Sequence, residues 1–121
     1  LDTHIADVLG VLQCEDLRDV VLIGHSYGGM VATGVTDRAE GRVAKLIYLD
    51  AFAPKDGQSL FQLVGAETEA KMRAGAAAGD GWRVPSNPMP PDTPADYAAW
   101  AVSRRIPHPM KCFEQRLSLS G

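Results

Sequence analysis

The 121-residue chain reads as an α/β protein built on parallel strands, and three observations predict this. An apolar run, Val20-Val21-Leu22-Ile23, stops abruptly at a serine set among glycines, Gly24-His25-Ser26-Tyr27-Gly28-Gly29. A second apolar run, Val43 to Leu49, follows after a segment of helical length, and strand, helix and strand in that order make parallel neighbours. From Pro54 onward the period changes and prolines accumulate, so the remainder is expected to be helix and loop.

Taken in order, the first element is a helix in which Ile5, Val8, Leu9 and Leu12 repeat at i, i+3, i+4 and i+7, with Asp2 or Thr3 as its cap. His4, in its first turn, reads as a solvated side chain. Glu15 to Asp19 is a polar link into the first strand. A second helix is expected from Gly29 to Glu40, with Val31 and Val35 toward the sheet and Gly41 as its C-cap. Gly34 inside it weakens the helix and implies close backbone approach to the strand. Two parallel strands cannot cover both of their own faces, so the sheet needs completion by other segments or another chain.

Beyond Pro54, residues 59–64 start a helix that 66–78 could continue. Residues 80–94, with Pro85, Pro88, Pro90, Pro91 and Pro94, then form a loop that cannot join a sheet interior. Thr93 is placed to cap a further helix, with Pro94 in its first turn and Tyr97, Trp100 and Ala101 as its apolar face. A last helix is expected over about residues 110–119, carrying Phe113 and Leu117. Residues 1–54 thus form a core segment and 55–121 a helical region laid over it.

The chemistry is concentrated in Gly24-x-Ser26-x-Gly28, a nucleophile elbow. A sharp strand-to-helix turn holds the serine in a strained backbone conformation, and the residues two before and two after it are expected to crowd one another, so both are glycine. Ser26 Oγ then projects at the carboxyl end of the strand, and the N–H of Tyr27 sits at a helix N-terminus, ready to stabilise a developing oxyanion. With glycine at about 7% of residues, such a motif arises by chance in about 4% of chains this long, and the preceding apolar strand makes chance less credible still. Asp50 ends the second strand at the same sheet edge. It reads either as a catalytic acid or as a carboxylate capping the backbone of residues 51–53.

Composition narrows the partners. Twelve Lys and Arg against fifteen Asp and Glu leave a net charge of −3, without the basic patch that nucleic acid or an anionic membrane surface demands. No apolar run reaches the ~18 residues of a membrane-spanning helix, and no leader pattern opens the chain. A cytoplasmic location is the expectation. Cys14 and Cys112 show neither C-x-x-C nor metal-ligand spacing and read as free, buried thiols. The dinucleotide spacing G-x-G-x-x-G is missing, so neither cofactor nor metal is expected.

His25-Ser26-Tyr27-Gly28-Gly29, together with Tyr48-Leu49-Asp50-Ala51-Phe52-Ala53-Pro54, resembles the α/β-hydrolase superfamily. The likeness is strongest to its small bacterial and plant esterases and hydroxynitrile-lyase-like proteins, and it extends through essentially the whole chain. It implies a partial α/β-hydrolase fold, a central fragment lacking N-terminal and C-terminal strands, in which residues 55–121 are the mobile cap. It also implies acyl transfer from a small carboxylic ester through Ser26. The catalytic groups in such proteins run in the order serine, acid, histidine. That makes Asp50 a candidate acid and places the base beyond Gly121 and the second oxyanion donor before Leu1. His25 adjoins the nucleophile and points away, and His108, between Pro107 and Pro109, is poorly placed as a base. Met72, Trp82, Met89, Trp100 and Met110 either line an acyl or alcohol pocket or pack as core. A cyanohydrin lyase and a non-catalytic ligand-binding protein on the same fold are the alternatives.

Overall fold

The two apolar runs become neighbouring parallel strands, β1 (Val20–Ser26) and β2 (Val43–Ala51), in a computed structural model that describes residues 1–120. Leu22 pairs with Leu46, Ile23 with Ile47 and Gly24 with Tyr48. The helix between them, α2 (Gly28–Arg38), packs on both strands, and α1 (Asp2–Cys14) packs on α2. Ile5, Met30 and Val35 lose all their solvent exposure between these layers. Removing such side chains from water is what fixes the helices on the sheet, at about 1.5–3 kcal/mol for each fully buried aliphatic.

The opposite face of the sheet is bare. Val21, Ile23 and Leu49 are 54%, 58% and 61% exposed, although parallel strands are ordinarily covered on both sides. The run Val20 to Ile23 has the unbroken apolar character of a strand covered twice, and this chain covers it once.

Local endings differ from the sequence expectation in instructive ways. Neither Asp2 nor Thr3 caps α1; Leu1 is the N-cap, and Asp2 instead receives Arg38 Nη1 at 3.0 Å and the Gln115 amide. Gly34 does make a close approach, but to α1 and the C-terminal segment rather than to the strand. A Cβ there would lie 2.4 Å from Ile5 Cδ1 and 3.0 Å from Leu117 Cδ1. The chain leaves α2 through Ala39 as C-cap, with Glu40 and Gly41 in left-handed conformations.

Past Pro54, α3 (Leu60–Val64) opens on a complete capping box: Ser59 Oγ accepts from Gln62 N–H and the Gln62 side chain accepts from Ser59 N–H. Gly65, at φ +82°, ends this helix, so α4 (Ala66–Ala78) is separate rather than a continuation. Two residues of the expected loop do form a ladder, β3 (Arg83–Val84), antiparallel to β4 (His108–Pro109). In α5 (Ala95–Val102) the N-cap is Pro94, because the Thr93 hydroxyl is committed to Pro90 O at 2.7 Å. Tyr97 and Trp100 on α5 are exposed, not buried.

The final helix, α6 (Lys111–Glu114), is a single turn, shorter than expected. After it, Leu117 N–H donates to Gln58 O and Gly57 N–H donates to Leu117 O, so backbone pairing with residues 57 and 58 replaces helical bonding. That pairing delivers Leu117, 1% exposed, into the same core as Ile5 and Met30. One core therefore draws on both halves of the chain, joining Leu1, Ile5 and Val35 to Leu60, Phe61 and Phe113. No helix among the described residues is long and apolar enough to cross a membrane.

Candidate active site

Ser26 closes β1 with φ +52°, a left-handed conformation that a residue with a side chain rarely adopts. It is exposed, as a nucleophile at the carboxyl end of a parallel strand should be. Tyr27 follows as the N-cap of α2, so its N–H stands at the positive end of the helix.

The crowding that calls for glycine is real but is distributed differently from the expectation. A Cβ on Gly24 would lie 2.9 Å from Gly28 O and 2.9 Å from Gly29 Cα, so that position cannot carry a side chain. A Cβ on Gly28 would meet nothing. The second tight position is Gly29, where a Cβ would lie 2.1 Å from Phe52 O. The backbone of α2 is thus pressed against the end of β2, which holds the elbow against its neighbour.

That neighbour brings Asp50 to the site. The ladder runs His25 to Leu49 and then Ser26 to Ala51, so Asp50 is the extra residue of a bulge. Its φ is +44°, the second left-handed non-glycine at this sheet edge, and the side chain is exposed. The Phe52 N–H, one donor that a capping role for Asp50 would use, goes instead to Ser26 O at 3.1 Å. Two strained residues side by side at one strand end are what functional sites tend to store.

Behind the elbow the Tyr27 side chain turns inward. Its hydroxyl lies 3.0 Å from His4 Nδ1, so His4 is a half-buried partner rather than the solvated side chain expected. His108 stacks on Phe113 with centroids 4.4 Å apart and meets the Tyr27 ring edge-on at 4.6 Å. Cys112 is buried beside them, whereas Cys14, expected to be buried, is exposed. Burial first, and then the adjacent Cys112, push the Tyr27 phenol well above its ordinary range. Burial, followed by the nearby His4, holds the His108 imidazole below its usual value. His108, Cys112 and Phe113 are close in sequence, but sequence reasoning missed the group because no spacing connects them to His4 on α1 or to Tyr27 at the start of α2.

Of the residues proposed to line a pocket, Trp82 and Met110 border a cavity of about 570 Å³, and Trp100 borders one of about 380 Å³ with Asp96 and Tyr97. Met72 lines a third with Val84 and Pro85. None of these three hollows includes Ser26.

Residues 1–119 match the alpha/beta hydrolase family. A carbendazim hydrolyzing esterase of Nocardioides sp. (strain SG-4G) is 42% identical, over the whole of this chain and 54% of the esterase. A non-heme chloroperoxidase of Streptomyces lividans is 46% identical over 45% of this chain and 20% of its own length. An extracellular alpha/beta-hydrolase from a Paenibacillus species superposes with a TM-score of 0.83 at 24% identity, over 96% of this chain and 50% of that one. The chain thus spans about half the length of the esterase and of that solved structure. A family match that runs through nearly every residue, with a left-handed serine at the strand end where the motif requires it, leads to one conclusion: this chain belongs to the alpha/beta hydrolase family.

Proposed function

We propose that the chain carries the nucleophile of a carboxylic ester hydrolase, with Ser26 as the attacking group. The observation that carries this is the elbow itself: an exposed Ser26 at φ +52°, followed at once by the N-terminus of α2. In the reaction Ser26 Oγ attacks the ester carbonyl while its proton passes to a general base. The carbonyl oxygen becomes an oxyanion that accepts a hydrogen bond from Tyr27 N–H, and collapse of the intermediate expels the alcohol, leaving an acyl-serine that water then cleaves. Asp50 is proposed as the carboxylate that orients the base, because the β2 bulge sets it beside Ser26 at the same sheet edge. The likeness to a carbendazim hydrolyzing esterase supports an ester-type substrate and makes carbendazim a reasonable first compound to try.

The test uses the full-length protein. A fluorophosphonate probe is expected to label Ser26, to leave the Ser26→Ala variant unlabelled, and to be slowed by a hydrolysable ester. Absence of labelling, with the protein folded, would indicate a binding protein on this fold. Cleavage of mandelonitrile without ester turnover would instead assign the lyase reaction.

A further inference from the structure

We infer that His4, His108 and Cys112 form a binding site for a soft divalent cation, zinc being the best fit, behind the elbow and separate from Ser26. One ring nitrogen of each histidine and Cys112 Sγ all lie within 4.8 Å of one another. In a tetrahedral zinc site, metal–nitrogen distances of about 2.0–2.1 Å and a metal–sulfur distance of about 2.3 Å require the donors to stand roughly 3.3–3.8 Å apart. Closing the widest pair to that spacing takes up to about 1.5 Å, which side-chain rotations supply. Two imidazoles and one thiolate are the donor types that favour zinc over magnesium or calcium.

An independent observation points the same way. Nε2 of His108 is buried with no hydrogen-bond partner, the sole side-chain nitrogen or oxygen in that condition among the described residues. An unsatisfied buried nitrogen is destabilising, and a cation would give it a partner. The surroundings are also built to hold ligands still. His108 is fixed by the β3–β4 ladder between two prolines and stacks on Phe113, and Tyr27 Oη holds the His4 ring. Outer hydrogen bonds of that kind orient metal-bound imidazoles. On binding, the Cys112 proton leaves to solvent and the metal takes its place. The cation would tie α1 to the adjacent β4 and α6 at the other end of the chain.

The probes are Zn²⁺ and Co²⁺ alone, added to the full-length, metal-stripped protein. About one equivalent should bind, and Co²⁺ should give the near-ultraviolet absorption of a thiolate ligand. Zn²⁺ should raise the melting temperature and slow alkylation of Cys112, because a metal-bound thiolate is shielded from the reagent, a protection that needs no variant. Cys112→Ser should lose the Co²⁺ absorption, His4→Gln should weaken binding roughly tenfold or more, and Cys14→Ser should change neither. The inference is overturned if Co²⁺ gives no thiolate absorption and Zn²⁺ leaves Cys112 alkylation unchanged, or if the absorption survives in Cys112→Ser. Each readout is independent of ester turnover.

Discussion

Ser26 and Tyr27 are consecutive, yet they belong to opposite kinds of environment. On the outer side, Ser26 and Asp50 are exposed and left-handed in backbone. On the inner side, the Tyr27 ring lies against His4, His108 and Phe113, and Cys112 is buried beside it. Strained conformations cost of order 1–3 kcal/mol each and persist only where their surroundings over-determine them. The inner cluster and the clamp of Gly29 on Phe52 O supply that determination. The contrast teaches that the reactive edge is held by its back, so changes on the two sides should separate cleanly into lost rate and lost stability.

Ser26→Ala should give the largest effect. In the full-length protein it is expected to remove about 10⁵-fold or more of kcat for an activated ester, with unfolding free energy changed by less than about 0.5 kcal/mol. A matching loss of stability would mean that the serine side chain packs, and the contrast would fail. Asp50→Asn comes next. If this carboxylate orients the base, kcat should fall about 10⁴-fold with the chemical melt unchanged. A fall of less than about tenfold would return the acid to another strand.

The inner side should behave in the reverse way. Phe113→Ala, in an 8% exposed residue stacked on His108, should cost about 3–5 kcal/mol in a urea melt, far more than its direct effect on the chemical step. An unchanged melt would show that the aromatic cluster does not support the elbow.

The smallest effect concerns Asp2, which fastens the helix bearing His4 to α2. Its hydrogen bond from Arg38, then that from Gln115, hold the carboxyl below its ordinary value of 3.8. A carboxylate depressed in the folded state contributes stability that is fully present above the unfolded value and lost as pH falls through the folded one. Asp2→Asn should therefore flatten a shallow acid limb below about pH 4 and leave the melt near neutrality almost unaltered, since the pair is largely exposed. A uniform loss at all pH values would mean that Asn fails in packing rather than in charge.

The bare sheet face offers one more expectation. The 121 residues expressed alone should hydrolyse an activated phenyl acetate hardly above buffer, with Ser26→Ala changing the rate by less than about twofold. His4 and His108 are engaged around Tyr27, and Val21, Ile23 and Leu49 lie open to solvent. Saturable turnover dependent on Ser26 in that monomer would show that one of these histidines reaches the nucleophile after all.

What the sequence determined by itself was whatever depends on near neighbours. The unbroken apolar runs gave strands, the i, i+3, i+4 stripe of Ile5, Val8, Leu9 and Leu12 gave α1, and Gly24-x-Ser26 gave a left-handed turn that leaves the serine exposed. These follow from backbone sterics and side-chain period, which act over a few residues. Tertiary structure decided the rest. Helix ends moved where a cap found a distant partner, as Asp2 did in Arg38 and Gln115. The helix begun at Met110 stopped after one turn because Leu117 could pair with the loop at Gly57 and Gln58 and enter the core. The glycine that must be glycine for the neighbouring strand proved to be Gly29, since only the packing of α2 on β2 brings Phe52 O to it. His4 met His108 and Cys112 for the same reason: the latter two are neighbours along the chain, but their meeting with His4 depends on how α1 packs against β4 and α6 around one tyrosine ring, a long-range geometry that no spacing encodes.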